Sequence, residues 1–415
     1  MSDDVKFGVA SFRKGAYIFI EDQPESNEFY IIRQGSVVEN RSTAQILGEQ
    51  GTITRQGDFF GVLSCMSRRP RIGSVQALED VSCIVVKGEQ FGALIQKMAP
   101  IALKIIRYFS KQLRHYDAIL TKMTFKSSVE ENPCNLFRIG EYYFSKQNYI
   151  QAAHAYVHYI KFCPDGGFVP QAKMKLAKIN PKPEDLIPKK ENFYYIYEDN
   201  KIIFLEHEPG NELYIIQEGK VKITKLVDDN EVMLAVLKKG DIFGEMAILE
   251  NKPRSASAIA YGPVKLMGVT KANFEPMVQA HPEIAKRIIE LLSERIWLIY
   301  KQISNILIND PAGKIYDSLY TQLQKNRVTI AEGNSFMFDF GPEDVLKFVG
   351  LNNNDGKLAL KKILDNDKTM MVTDGKLMCK DVTNIQKAIN VIKRNQELER
   401  KKQENAINPS SPSFY

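Results

Sequence analysis

The chain contains one stretch twice. Glu28-Phe29-Tyr30-Ile31-Ile32-Arg33-Gln34-Gly35 matches Glu212-Leu213-Tyr214-Ile215-Ile216-Gln217-Glu218-Gly219. Gly57-Asp58-Phe59-Phe60-Gly61 matches Gly240-Asp241-Ile242-Phe243-Gly244, and Pro70-Arg71 matches Pro253-Arg254. The spacing, near 183 residues, is too long for a solenoid, so a whole domain is duplicated. Each copy consists of short alternating runs broken by Gly, Pro and Asn, such as Ala16–Ile20, Phe29–Ile32 and Val81–Val86. That pattern predicts an antiparallel β barrel or sandwich. The remainder of the 415 residues leaves room for further, smaller domains.

The second copy carries the richer chemistry, in Gly240 to Ala258. Gly240-Asp241 is a turn signal. Gly244-Glu245-Met246-Ala247 reads as the first turn of a short helix, whose unpaired N–H groups favour an anion. Arg254 supplies a planar fork of donors suited to a phosphate. Glu245 only accepts hydrogen bonds, which suits a sugar hydroxyl. Together they describe a nucleotide pocket with one phosphate group.

Phe243-Gly244-Glu245, an aliphatic run, and Pro253-Arg254-Ser255-Ala256-Ser257 closely resemble the phosphate-binding cassette of cyclic nucleotide-binding domains. Crp/Fnr-type regulators and protein kinase A regulatory subunits carry that cassette. The resemblance implies that Glu245 holds the ribose 2′-hydroxyl and Arg254 the cyclic phosphate, with Gly244, Met246, Ala247, Ser255 and Ala256 around them. It implies cyclic AMP, or another cyclic mononucleotide, as regulatory ligand. Counted back from Gly313, Tyr300 falls where Crp-type proteins contact the nucleobase, although packing beside Trp297 would account for it equally. The first copy has Val62 in place of Glu245 but keeps Arg71. Arg71 is either a second site for another anion, helped by Arg68 and Arg69, or part of a degenerate barrel kept for packing. The missing carboxylate favours the latter, since an unpaired ribose hydroxyl costs about 1–3 kcal/mol.

Long amphipathic helices are expected over Ala99–Lys126 and Pro282–Leu307, after each barrel. Between the barrels, Gly140, Ala152 and Pro164 fit one tetratricopeptide-like helical hairpin, with a further helix near Gln171–Ile179. This is either a spacer or a protein-binding groove. His154 and His158 have metal-ligand spacing, but no third ligand is near in sequence, so no metal is expected. Asp310-Pro311 caps the next helix, in a segment resembling the Crp-type hinge. Pro342–Leu351 resembles the first helix and turn of a helix-turn-helix. The following helix would offer Asn352, Asn353, Asn354, Lys357, Lys361 and Lys362 to DNA. Met370–Cys379 would form a wing around Asp374-Gly375. The arginines of Crp-type recognition helices are absent, and charge here is close to balanced.

The expected architecture is α+β multidomain. Residues 1–127 form a degenerate jelly-roll barrel, 128–190 a helical hairpin and linker, and 191–309 a competent cyclic nucleotide-binding domain with its closing helix. Residues 310–386 form a winged helix-turn-helix-like output domain, and 387–415 a charged, partly disordered tail. The five scattered cysteines favour a reducing cytoplasm over a disulfide framework. No export signal or membrane-length apolar run is visible. No nucleophile triad or Walker loop suggests an enzyme. The leading expectation is a cyclic AMP-responsive transcriptional regulator that binds double-stranded DNA. The alternative is a nucleotide-gated protein-interaction scaffold. A homodimer through the long helices, or their pairing within one chain, are both open.

Overall fold

The computed structural model describes residues 6–24, 27–47, 49–125, 132–227, 230–351 and 353–407. In the first barrel one antiparallel sheet runs Gly8–Phe12, Val81–Lys87, Glu28–Gln34, Phe59–Phe60. The other runs Tyr17–Phe19, Ser74–Ala77, Ser36–Asn40, Thr52–Arg55. The second barrel repeats this with longer, bent strands, Glu212–Val227 and Ser257–Thr270 at its centre. The register repeats as well: Tyr30 faces Phe60 and Tyr214 faces Phe243. Gly35 (φ 88°) and Gly219 (φ 84°) make the same bend. A Cβ at either would strike a backbone carbonyl, of Asp80 or Pro263, which accounts for glycine in both copies.

Each barrel is followed by a long helix, Ala99–Phe125 and Pro282–Ile306, and the two pack against each other. Like ends lie together, with Tyr116 and Tyr300 ring centroids 6.1 Å apart. Ala102, Ile105, Ile106, Phe109, Ser110 and Leu113 are buried, as are their counterparts Ala285, Ile288, Ile289, Leu292, Ser293 and Ile296. The apolar stripe that could have served a homodimer is thus filled within one chain. Each helix also crosses to the other barrel. Ser110 Oγ donates to Glu250 Oε1 (2.9 Å), and Arg69 pairs with Glu294 (2.6 Å).

Helices Leu136–Ser145 and Tyr149–Phe162 form a hairpin, followed by Val169–Ile179. Gly140 lies against the Tyr156 ring, and Ala152, Ala155 and Tyr156 are fully buried. The hairpin docks on the second barrel, sharing a core with Ile202, Leu205, Leu226 and Ile259. It also holds a disulfide, Cys134–Cys163. This corrects the expectation of unpaired cysteines: 29 residues separate the two, and the chain reversal between the helices brings them together.

Residues 310 onward form their own core. The order is helix Pro311–Lys325, strand Phe336–Met337, helices Pro342–Phe348 and Asn354–Asn366, hairpin Met370–Thr373/Lys376–Cys379, and helix Val382–Ile407. Asp310 caps the first helix through Gly313 N (2.8 Å). This unit is tied to the first barrel. Arg69 Nη1 donates to the carbonyls of Gln324 (2.6 Å) and Lys325 (2.9 Å), at a helix end where a cation is favoured. Asp22 receives Lys301 (2.8 Å) and Lys393 (3.0 Å). No helix among the described residues is long and apolar enough to cross a membrane. The end of the tail, 408–415, where disorder was expected, lies outside the described residues.

Because Cys65, Cys83 and Cys379 are free, denatured, unreduced protein should titrate three thiols with a chromogenic reagent. After reduction it should titrate five, and the hairpin should lose about 2–4 kcal/mol of stability.

Candidate functional site

Strand Ile242–Phe243 leads through Gly244 (φ 79°) into the short helix Glu245–Glu250, and Arg254 follows on the return. Glu245 and Arg254 are 3% and 5% exposed. Arg254 Nη1 donates to the Gly244 carbonyl and Nη2 to the Glu212 carbonyl, both at 2.6 Å. The guanidinium lies 4.0 Å from the Phe204 ring centroid, and its Nε has no protein partner. Gly210 packs so tightly that a Cβ would meet the guanidinium at 2.6 Å. Glu245 Oε1 accepts from Arg295 Nη1 (3.0 Å), an arginine of the domain's own closing helix. Met246 and Ala247 are buried, and Ser255 Oγ approaches the Met246 sulfur (3.9 Å). Gly244 and Ala256 are half-buried.

The first barrel holds its arginine the same way. Arg71 donates to the carbonyls of Gly61 (2.8 Å) and Glu28 (3.1 Å) and lies 4.1 Å from the Phe19 ring. Arginine placement therefore does not distinguish the barrels; the carboxylate does, since buried Val62 stands where Glu245 stands. A small cavity of about 30 Å³ in the first barrel is lined by Arg71, Glu39, Arg41, Ser64, Tyr108 and Gln112 among others. Arg41 pairs with Glu39 (2.9 Å) and also hydrogen-bonds Tyr116.

Tyr300 is buried on the closing helix, as is Trp297. Its hydroxyl donates to Glu21 Oε1 of the first barrel (2.6 Å). Position along a helix is legible in sequence, but which barrel that helix faces depends on the crossing of the two helices. In the C-terminal unit, Lys357, Lys361 and Lys362 are exposed on one helix, as is Asn354. Asn353 is exposed too, but its side chain caps that helix by accepting from Gly356 N (3.0 Å). Asn352 lies outside the described residues.

The family model of the cyclic nucleotide-binding domain matches residues 9–98 and again residues 196–281. The chain carries two cyclic nucleotide-binding domains. A CRP-like cAMP-activated global transcriptional regulator of Mycobacterium tuberculosis is 28% identical over 161 residues, 38% of this chain and 71% of that protein. The Thermus thermophilus catabolite activator protein matches with 19% identity over 48% of this chain and 90% of its own, at a TM-score of 0.28. The regulatory domain of Toxoplasma gondii PKA with cAMP matches with 17% identity over 67% of this chain and 84% of its own, at a TM-score of 0.20.

Around the second domain's cassette, sequence reasoning overlooked several charged groups. Glu208 faces His154 (3.2 Å) and His158 (2.7 Å) of the docked hairpin. Burial opposes its charge, but the two histidines outweigh that and draw its pKa down to about 2. Burial in turn lowers the pKa of His154, against the opposing pull of Glu208. Asp117, on the other domain's closing helix, has its pKa pushed up to about 6, chiefly by burial. Arg295, Lys225 and Arg114 oppose that push, and Glu245 adds to it. The two histidines show their helical spacing in the sequence, but Glu208 and Asp117 come from other segments and carry no local motif.

A raised carboxylate pKa costs stability above that pKa, and the cost fades as pH falls from about 6 towards the ordinary 3.8. Asp117→Asn should therefore stabilise the protein at pH 7.5, by about 1 kcal/mol for this partly buried group, and have little effect at pH 4. Urea midpoints at the two pH values test this.

Proposed function

We propose that the chain is a cyclic nucleotide-responsive regulator that binds cyclic AMP in its second domain and acts through residues 310–386. The observation that carries this reading is the pair of buried groups, Glu245 and Arg254, in a domain whose family binds cyclic nucleotides. The free Arg254 Nε would meet the phosphate, and Glu245 the ribose hydroxyl. Gly244, Met246, Ala247, Ser255 and Ala256 complete the pocket. Cyclic AMP is preferred to other cyclic mononucleotides because the Mycobacterium tuberculosis relative is cAMP-activated. Arg254→Ala should weaken cyclic AMP binding by about 2–5 kcal/mol in calorimetric titration, the range for truncating one partner of a buried charge pair. Arg71→Ala should matter much less, and equal losses would overturn the choice of domain.

Output through DNA is favoured by the element order after Asp310, which is that of a winged helix, and by exposed Lys357, Lys361 and Lys362. Charge reversal at all three lysines should abolish retention of duplex DNA in a low-salt gel. A second reading, a protein-interaction scaffold, draws on Phe348 and Leu358, which are 58% and 53% exposed on the helices that would meet DNA. Unchanged retention in the triple variant would favour it.

A further inference from the structure

His154, His158 and Glu208 form a cluster that the nucleotide reading does not use. The histidines lie one turn apart on the hairpin helix Tyr149–Phe162, with ring centroids 4.1 Å apart. Glu208 comes from the loop after strand Ile202–Phe204 of the second domain. One ligand atom from each of the three lies within 4.8 Å of the other two. His154 Nε2 is 3.2 Å and His158 Nδ1 2.7 Å from the same oxygen, Glu208 Oε1. His158 Nδ1 makes no hydrogen bond that satisfies it. The side chains of His154 and Glu208 are 9% and 7% exposed, and that of His158 is 26%. The cluster is therefore dry on two sides and reachable on the third.

The geometry points to a site for one divalent transition-metal ion of the zinc class, held by His154, His158 and Glu208 with a fourth position open towards solvent. Imidazole nitrogen and carboxylate oxygen bind zinc at about 2.0–2.2 Å, so tetrahedral ligand atoms stand about 3.3 Å apart. The His154–Glu208 separation is already there, and His158 needs to move outward by a fraction of an ångström. The sequence reading stopped at two histidines because the third ligand lies fifty residues downstream, brought in by docking of the hairpin. The backbone of the same loop pairs with the cassette: Arg254 N donates to Glu208 O, and His207 N to Arg254 O, both at 2.8 Å. A bound ion would thus clamp the hairpin to the loop beside Arg254. The first domain has Gln23 at the corresponding place, where its carbonyl accepts Arg71 N (3.0 Å), and among its described residues there is no such cluster.

The test uses the full chain, stripped with EDTA and kept free of reductant so that Cys134 and Cys163 stay bridged. Zinc titration by calorimetry, with metal counted by mass spectrometry, should give one ion per chain and a rise in thermal midpoint. Cobalt(II) should give the visible bands of a four-coordinate ion. His158→Gln and Glu208→Gln should each weaken zinc binding at least tenfold and abolish the cobalt bands. His281→Gln, at an exposed histidine, should change neither. Metal-free thermal midpoints show whether each variant folds, and part-exposed His158 is the safer site. A wild-type chain that takes up no zinc, or uptake and bands unchanged in a folded His158→Gln variant, would overturn the assignment.

Discussion

The pairing of the two closing helices sets most of the remaining geometry. Alanine at the matched positions 102 and 285 and serine at 110 and 293 let the helices approach closely, and the isoleucines and leucines between them supply the buried surface. Full burial of each such side chain stabilises by about 1.5–3 kcal/mol, less the cost of ordering it. Because both helices belong to one chain, this interface needs no second copy and does not weaken on dilution, unlike that of an obligate dimer. It also carries each helix across to the opposite cassette, which is why Arg69 meets Glu294 and Ser110 meets Glu250.

Joining two halves in one chain removes the requirement that they be alike. The first domain has a small cavity and an arginine but Val62 for a carboxylate. The second has the carboxylate and the arginine beneath a docked hairpin. The loops that pair with the two arginines have diverged in partners as well. Asp22 takes Lys301 and Lys393, whereas Glu208 takes His154 and His158. Buried Lys301 thus ties the second domain's closing helix to the more exposed Asp22 of the first domain. Burial opposes the Asp22 charge, yet the two ammonium groups hold its pKa well below the carboxylate range.

Both domains touch the C-terminal unit through side chains: Arg69 of the first to the end of helix Pro311–Lys325 and Asp22 to Lys393, and Asn305 of the second domain's closing helix to Lys314 O (2.8 Å) and Asp317 Oδ2 (3.0 Å). A ligand acts on that unit only if it binds two arrangements of these contacts unequally. The closing helix Pro282–Ile306 carries residues that reach both domains, Arg295 to Glu245 and Tyr300 to Glu21. This helix therefore joins the Glu245 site of the second domain to the first barrel.

The sequence by itself determined the duplication, the barrel strands, the short helix that opens at Glu245, both long helices and the segment order after Asp310. All of these are signalled by residues close together in the chain: alternation, helical spacing, turn glycines and a cap. Tertiary structure alone decided what those elements meet. It carried Tyr300 to Glu21, closed Cys134 onto Cys163, placed Glu208 between two histidines and turned Asn353 into a cap. Except for the cap, these are contacts between segments distant in sequence. Local periodicity records which face of an element is apolar, but not which other element covers it. For Tyr300 the packing of the two closing helices settled that, and for Cys134, His154 and Glu208 the folding of the hairpin and its docking on the second barrel did.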